Sequence, residues 1–158
     1  MRWAQTTTMT TKAERSRHDV TSLEQTMDVA SALAGWLRSE DVVHLRGDLG
    51  VGKTHFVKGL ARGLGLDPDD VVSPTFTFVD VHAGTAGGLG LVHVDLYRIE
   101  GPSELAELGL EELPGPGAVA AIEWPDRLPP GSREPAATVT IEDLGGTSRR
   151  IVVALRAR

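Results

Sequence analysis

A glycine-rich loop in the first half of the chain carries the residue types best suited to hold phosphate. The spacing G-x-x-x-x-G-K-[ST] is met at every fixed position by Gly47-Asp48-Leu49-Gly50-Val51-Gly52-Lys53-Thr54. Its glycines allow a tight turn with backbone N–H groups facing inward, and the positive end of a following helix also attracts phosphate. Lys53 would then reach the β- and γ-phosphates, and the Thr54 hydroxyl would ligate Mg²⁺. The loop therefore predicts a binding site for ATP and Mg²⁺.

A glycine turn can match this spacing by chance, so the flanking segments decide between the two interpretations. Residues 42–45 are an apolar run typical of a buried strand, and residues 55–64 have the pattern of a helix ended by Gly65. A strand before the loop and a helix after it are what the phosphate-binding interpretation requires. We expect the nucleotide to contact Asp48, Leu49, Gly50, Val51, Gly52, Lys53, Thr54 and His55.

Two acidic side chains stand where strands are predicted to end. Glu123 directly follows the apolar run 118–122, which is typical of a strand covered on both faces. In the run 91–96, the alternation of side chains places His93 and Asp95 on one face. Ligands bind at the carboxyl edge of open α/β sheets, and a phosphate loop that holds Mg²⁺ needs an acidic group there for metal or water.

Each carboxylate could instead be a solvated group at a strand end, and it is the phosphate loop that favours a functional role. The spacing does not decide which of Asp95 and Glu123 ligates Mg²⁺ and which orients water. The predicted catalytic residues are Lys53, Asp95 and Glu123, and the predicted metal-binding residues are Thr54, Asp95 and Glu123.

Other polar and aromatic residues allow weaker hypotheses. His93 and Asp95 could belong to a zinc site, but no third strong ligand lies nearby in the sequence. Ser73 and Thr75 carry hydroxyls that could approach a γ-phosphate, or could simply belong to a β-turn that enters a strand. Trp124 is expected to be a packing anchor rather than a nucleotide stacker.

The rest of the pattern predicts the elements that position these residues. Apolar residues recur at helical spacing over 22–37, and Thr21 or Ser22 can cap the start of that helix. Further predictions are strands over 75–81, 91–96 and 118–122, a mobile glycine-rich loop over 83–90, a short acidic helix over 103–113, and a hairpin of 137–141 with 151–155. This order predicts an α/β fold of the P-loop NTPase type, with parallel central strands, antiparallel edge strands and flanking helices.

Composition and charge limit the class of protein. The chain has 158 residues and no cysteine, which excludes disulfides and thiolate metal sites, and no apolar run approaches the roughly 20 residues that cross a bilayer. A net charge of −6 argues against tight direct binding of nucleic acid. We expect a disordered tail over residues 1–18, a single nucleotide-binding domain over 19–158, and a cytoplasmic location.

Four further segments follow the phosphate loop in a specific order. They are Ser73-Pro74-Thr75-Phe76-Thr77, His93-Val94-Asp95-Leu96-Tyr97-Arg98, Glu107-Leu108-Gly109-Leu110 and Glu123-Trp124-Pro125. Together with the loop they resemble the TsaE family (also called YjeE), the bacterial ATPase of tRNA threonylcarbamoyladenosine biosynthesis. A phosphate loop alone indicates only a nucleotide-binding protein, whereas this combination is highly specific and spans residues 21–128.

The resemblance implies a role beside two partner proteins, TsaB and TsaD, which place a threonylcarbamoyl group on N6 of adenosine 37 in tRNA. A TsaE-like chain would bind and hydrolyse ATP at the partner interface to sustain turnover, with weak activity alone and tRNA contacted only through the complex. By position, Lys53 would neutralise phosphate charge, Thr54 would hold Mg²⁺, Asp95 and Glu123 would serve metal or water, and Thr75 would be a switch-like contact near the γ-phosphate.

Other functions also use a phosphate loop. A small-molecule kinase usually brings arginines to the transferred phosphate, and the stretch between Arg98 and Arg127 has no basic residue. A GTPase commonly reads guanine with an Asn-Lys-x-Asp element, and the chain contains no asparagine. The alternatives are the kinase and a nucleotide-dependent scaffold with little hydrolysis, whose bound ATP would order a docking surface for a partner.

Overall fold

The computed structural model describes residues 13–74 and 77–158. Within these residues one sheet is formed by β1 (Glu14–Val20), β2 (Val42–Arg46), β3 (Val79–His82), β4 (Gly90–Asp95), β5 (Ala118–Glu123), β6 (Ala137–Gly145) and β7 (Ser148–Leu155). The helices are α1 (Leu23–Ala34), α2 (Lys53–Gly63) and α3 (Pro102–Glu107), with 3₁₀ turns at Pro68–Asp70, Leu110–Glu112 and Pro125–Arg127. Among the described helices, none is long and apolar enough to cross a membrane.

The strands follow the order β1-β7-β6-β2-β5-β4-β3. The central strands β6, β2, β5 and β4 run parallel to one another. On one side β7 pairs antiparallel with β6 and β1, and on the other side β3 pairs antiparallel with β4. The predicted α/β class, with parallel central strands and antiparallel edges, is therefore confirmed.

Helix α1 begins at the predicted cap. The Ser22 hydroxyl accepts a hydrogen bond from the Gln25 N–H at 3.1 Å, and Gln25 Oε1 accepts one from the Thr21 N–H at 2.7 Å. The helix ends at Ala34, three residues earlier than predicted. The following N–H groups bond to carbonyls three residues back, so the chain tightens and leaves the α-helical path.

Helix α2, which follows the phosphate loop, lies very close to α1. A Cβ added at Gly59 would lie 2.5 Å from the Met27 carbonyl oxygen and 2.7 Å from the Ala30 Cβ. Only a residue without a side chain permits this approach. Both helices pack on one face of the sheet, where Val43 and Leu45 of β2 are fully buried. The position of the loop is thus set by β2 on one side and by the helix pair on the other.

The opposite face of the sheet is covered by α3 and the segments that follow it. A second core cluster joins Val92, Val94 and Leu96 with Ile122, and Leu105 of α3 packs against it. Strands β4 and β5 are therefore buried on both faces, which explains their nearly continuous apolar sequences.

Some predicted boundaries are wrong. Residues 14–18, predicted as part of a disordered tail, lie in β1, because backbone groups pair them with β7 whatever side chains they carry. The rest of that tail, residues 1–12, lies outside the described residues. The helix predicted over 103–113 ends at Glu107, since Gly109 turns the chain with a φ of +63°, and the 3₁₀ turn Leu110–Glu112 follows. The strand predicted over 75–81 begins at Val79, and residues 75 and 76 lie outside the described residues.

Candidate functional site

The phosphate loop connects β2 to α2 and turns at its glycines. Gly47, Gly50 and Gly52 have φ values of +150°, +78° and +121°, a region that side chains disfavour. The Phe56 N–H donates to the Gly52 carbonyl and opens the hydrogen-bond ladder of α2. The N–H groups of the first helical turn precede that ladder, so they need partners from outside the helix. Such groups at the positive end of a helix suit an anion.

Lys53 is the first residue of α2, and its side chain folds back over the loop. Only 4% of the residue is exposed. The ammonium group donates to the carbonyls of Gly47 and Asp48, the second at 2.9 Å, and lies 4.3 Å from the ring centre of Trp124. Burial lowers the pKa of Lys53, while the charges of Glu123, Asp95 and Asp48 act in the opposite direction. A buried cation that contacts only dipoles and a ring is well placed to receive an anionic group.

Glu123 lies at the carboxyl end of β5 and is 4% exposed. Its Oε2 atom lies 2.6 Å from His93 Nε2 and accepts a hydrogen bond from the Thr54 hydroxyl at 3.4 Å. The Thr54 hydroxyl also lies 3.1 Å from the Ser73 hydroxyl. The strand-end carboxylate is therefore connected directly to the last residue of the phosphate-loop motif.

Asp95 ends β4 and lies directly beside Glu123 in the parallel register. Its Oδ1 atom accepts a hydrogen bond from the Tyr97 N–H at 3.0 Å. Burial raises the pKa of Asp95, and the charge of Glu123 raises it further, whereas the Tyr97 bond and the positive charge of Lys53 lower it. Two carboxylates side by side with one buried ammonium group nearby leave a net negative site, which favours a cation.

These residues surround one pocket of about 400 Å³. Its walls are formed by Leu49, Gly50, Gly52, Lys53, Thr54, His55, Ser73, Asp95, Glu123 and Trp124. A smaller adjoining pocket of about 170 Å³ shares three of these residues and adds Pro74, Tyr97 and Arg98. A larger pocket of about 530 Å³ lies on the face of the sheet that α3 covers. None of its described lining residues belongs to the phosphate loop. The chemistry points to the 400 Å³ pocket rather than to this larger one.

Most of the predicted site residues meet in this pocket. Lys53, Thr54, Asp95 and Glu123 all line it, as do four other predicted nucleotide contacts. Asp48 contributes its backbone carbonyl to Lys53, and Val51 packs into the core with 5% exposure, so neither lines the described pocket wall. The predicted contact Thr75 lies outside the described residues.

Trp124 covers the pocket from the end of β5. Besides Lys53 it contacts Tyr97, whose ring centre is 5.0 Å away with the planes tilted by 46°, and the Arg127 guanidinium lies 5.8 Å from its ring. Its φ of +60° is rare for a large side chain and holds the ring over the lysine. Trp124 packs against Lys53 and Tyr97 and forms an aromatic wall of the pocket, so its role as an anchor rather than a nucleotide stacker stays a prediction.

Two contacts of the site are not indicated by the sequence pattern. His93 bonds to Glu123 rather than forming a metal pair with Asp95, and the described residues contain no group of three His, Asp or Glu side chains placed to hold a metal. Arg149 of β7 donates from Nε to the carbonyl of Val51 in the phosphate loop at 3.1 Å. Neither contact can be read from local spacing, since each joins segments far apart in the chain.

The side chains in the pocket fit Mg²⁺ better than a transition metal. The oxygen groups that line the pocket are the hydroxyls of Thr54 and Ser73 and the carboxylates of Asp95 and Glu123, beside one imidazole, that of His55. Mg²⁺ prefers such oxygen ligands and is usually bound through one or two carboxylates together with phosphates and water. The Thr54 hydroxyl lies within hydrogen-bond distance of both the Ser73 hydroxyl and the Glu123 carboxylate.

The family model and the similar proteins all carry the same family name. The family model described as "Threonylcarbamoyl adenosine biosynthesis protein TsaE" matches residues 20–151. The tRNA threonylcarbamoyladenosine biosynthesis protein TsaE of Nostoc sp. (strain PCC 7120) is 41% identical over 113 residues, which cover 67% of this chain but only 65% of that protein. The protein of the same name from Treponema pallidum is 35% identical over 133 residues, covering 84% of this chain and 96% of that one.

A solved structure agrees with these relatives. The crystal structure of YdiB from Bacillus subtilis is similar to this chain with a TM-score of 0.64 and 30% sequence identity. The likeness covers 90% of this chain and 86% of YdiB. The fold is therefore shared along nearly the whole length of both proteins.

Proposed function

This chain belongs to the TsaE family, which acts in tRNA threonylcarbamoyladenosine biosynthesis, and we propose that its part is to bind ATP with Mg²⁺ and to hydrolyse it. The observation that carries the proposal is the pocket in which the phosphate loop, a buried lysine and two strand-end carboxylates meet. This set of groups is what phosphoryl transfer to water needs, namely charge neutralisation, metal ligands and a residue that orients water.

Each group has a separate task in this proposal. Lys53 exchanges its bonds to the loop carbonyls for the β- and γ-phosphate oxygens, and the N–H groups at the start of α2 bind the same anion. Thr54 and Glu123, whose side-chain oxygens lie 3.4 Å apart, would hold the metal. When bound, Mg²⁺ neutralises charge on the phosphate oxygens. Asp95 is the carboxylate left to accept a hydrogen bond from water and to orient it.

The reaction itself is a displacement at the γ-phosphorus. The water oxygen forms a bond to that phosphorus, and the bond from the phosphorus to the β–γ bridging oxygen breaks. The products are ADP, phosphate and one proton. The chain forms no covalent bond in this step, so its contribution is positioning and electrostatic stabilisation by Lys53 and the loop N–H groups.

We propose TsaB and TsaD as protein partners and the cytoplasm as the location. Family membership supports both, and the net charge of −6 supports an indirect rather than a direct contact with tRNA. In this arrangement ATP hydrolysis sustains repeated cycles of the modifying complex, and hydrolysis by the isolated chain is slow because partners complete the site.

The first test compares two lysines of α2. Lys53 and Lys58 both donate to backbone carbonyls, but Lys58 bonds to Pro68 and Val71, away from the pocket. Lys53→Ala should weaken ATP binding by roughly 10- to 100-fold, the size of a lost charge-assisted hydrogen bond, and abolish hydrolysis. Lys58→Ala should keep both activities. Equal behaviour of the two variants would refute the phosphate-loop assignment.

The second test measures multiple-turnover formation of threonylcarbamoyladenosine. Purified TsaB, TsaD, tRNA, ATP and a separately supplied threonylcarbamoyl donor are combined with the intact chain, with its Lys53→Ala form, or with no addition. We expect sustained cycling only with the intact chain. Full cycling with a non-hydrolysable ATP analogue would show that bound nucleotide suffices and would favour the scaffold function.

A further inference from the structure

His93 and Glu123 form a short contact between an imidazole and a carboxylate in the interior of the site. His93 lies on β4, is completely buried, and places Nε2 at 2.6 Å from Glu123 Oε2. Its other nitrogen, Nδ1, is buried as well and has no hydrogen-bond partner among the described residues. His93 therefore interacts with the polar groups of the site through Glu123.

The contact determines which nitrogen carries hydrogen. An ionised carboxylate can only accept, so Nε2 must be the donor in the bond to Glu123. The tautomer with hydrogen on Nε2 leaves only a lone pair on the unpartnered Nδ1. This is less costly than burying an N–H group with no acceptor. His93 therefore donates one hydrogen bond, from Nε2–H to Oε2 of Glu123.

That bond restrains the carboxylate group. Oε2 of Glu123 is held by His93 and also accepts from Thr54, whereas Oε1 makes no hydrogen bond within the described part of the chain. Without His93, the only described side chain holding Glu123 would be Thr54, at the longer distance of 3.4 Å. Mutation of a buried donor that orients a metal-binding carboxylate typically lowers metal affinity by about 10- to 100-fold.

We infer that His93 is the positioning residue of Glu123, holding its carboxylate in the orientation in which it serves Mg²⁺ and Thr54. The inference rests on the proposed function, because it assigns His93 a role in the same site. It also separates His93 from the zinc pair considered with Asp95, since Nε2 is already occupied by Glu123. His93 acts through Glu123 and touches no reacting atom.

The test uses two substitutions at His93 and a matched control. His93→Met fills the same space with an apolar side chain and removes the donor, whereas His93→Gln keeps an N–H donor at a similar reach. His44→Met makes the same change at another histidine of the sheet whose Nε2 is buried and unpartnered, outside the described lining of the pocket. Affinities for Mg²⁺ and ATP are measured by calorimetry, with thermal unfolding as the check on folding.

We expect His93→Met to weaken Mg²⁺ binding in the presence of ATP by roughly 10- to 100-fold and to lower kcat similarly. ATP affinity without metal should change less than about threefold, because Lys53 and the loop are untouched. His93→Gln should recover much of the loss, and His44→Met should behave as wild type. If His93→Met matches His44→Met, or if His93→Gln is as impaired as His93→Met, the inference is wrong.

A double-substitution cycle separates positioning from a general packing role. In a Glu123→Ala background, His93→Met should cause no further loss of Mg²⁺ affinity, because the group that it positions is absent. Additive losses would overturn the inference.

Side-chain ¹⁵N NMR of the chain without ligands tests the contact independently of activity. It should show His93 as the Nε2–H tautomer, with a shift that changes in Glu123→Gln. If the wild-type chain neither binds nor hydrolyses Mg²⁺–ATP, the proposed function fails, and the NMR result still decides whether the two side chains are bonded.

Discussion

Replacing Gly47 by alanine tests whether the phosphate loop depends on one close approach between chain segments. A Cβ at this position would lie 2.8 Å from the Ile141 carbonyl oxygen and 2.8 Å from Val51 Cγ1. Neither neighbour can move easily, because Ile141 pairs with Ile151 in the sheet and Val51 is buried. The residue also has a φ of +150°, which alanine disfavours.

The expected loss of stability follows from these two effects. Backbone strain of this kind costs about 1–3 kcal/mol, and forcing an extra carbon into a packed site costs about 1–3 kcal/mol more. For a chain of this size each kcal/mol lowers Tm by about 2–4 °C. Gly47→Ala should therefore lower Tm by roughly 5–20 °C. The loop is displaced at Val51, so ATP affinity should fall by about tenfold or more even where the protein is folded.

Two other glycines provide matched controls. Gly50 and Gly65 have φ values of +78° and +82°, and a Cβ at either position would meet nothing within 4 Å. Alanine there carries only the strain of a left-handed residue, about 1–2 kcal/mol, so Tm should fall by roughly 2–8 °C in both variants. Gly50 lies in the phosphate loop and Gly65 follows α2, so only Gly50→Ala should also weaken ATP binding.

Thermal unfolding followed by circular dichroism gives the Tm of each variant, and calorimetry at 20 °C gives the ATP affinity. We expect Gly47→Ala to be clearly less stable than Gly50→Ala. Equal values of Tm would mean that the contact with Ile141 and Val51 relaxes freely, and the close packing of the loop against β6 would then have no energetic consequence.

Three further substitutions test other parts of the site. Asp95→Asn should slow hydrolysis yet raise Tm near neutral pH. Burial raises the pKa of Asp95, so its ionised form lowers stability above that pKa, and the gain in Tm should vanish below the ordinary value of 3.8. Thr54→Val should weaken Mg²⁺-dependent ATP binding by roughly tenfold while metal-free binding changes little, as calorimetry with and without Mg²⁺ will show. Arg149→Gln removes the bond from Nε to the Val51 carbonyl and should lower Tm by about 3–8 °C, with ATP affinity reduced several-fold.

The sequence was sufficient to predict the parts of the fold that depend on local pattern. The phosphate loop lies between a strand and a helix as predicted, because the glycine spacing and the apolar run before it act within about 20 residues. The buried strands β4 and β5 were predicted within one residue of their ends, since both are nearly continuous apolar segments. The carboxylates that end them could be identified for the same reason.

Strand β1 could not be predicted because its side chains carry no apolar signal. Its seven residues, 14–20, include only one apolar residue, Val20, and the strand is held by backbone pairing with β7. Arg150 of β7 bonds to Asp19 across this pair at 3.0 Å. An edge strand with charged side chains resists pairing with other molecules, and the same charges hide it from a search for hydrophobic periodicity.

The proposed division of work between the two carboxylates depends on strand order, which spacing along the chain does not contain. Strand β5 lies between β2, which leads into the phosphate loop, and β4, so Glu123 faces Leu45 on one side and Asp95 on the other. Glu123 is consequently the carboxylate that reaches Thr54. Had β4 been the neighbour of β2, Asp95 would occupy that position, and the same sequence motifs would support the opposite assignment. The contact with His93 depends on the same order, because β4 can supply a buried donor to Glu123 only as the next strand in the sheet.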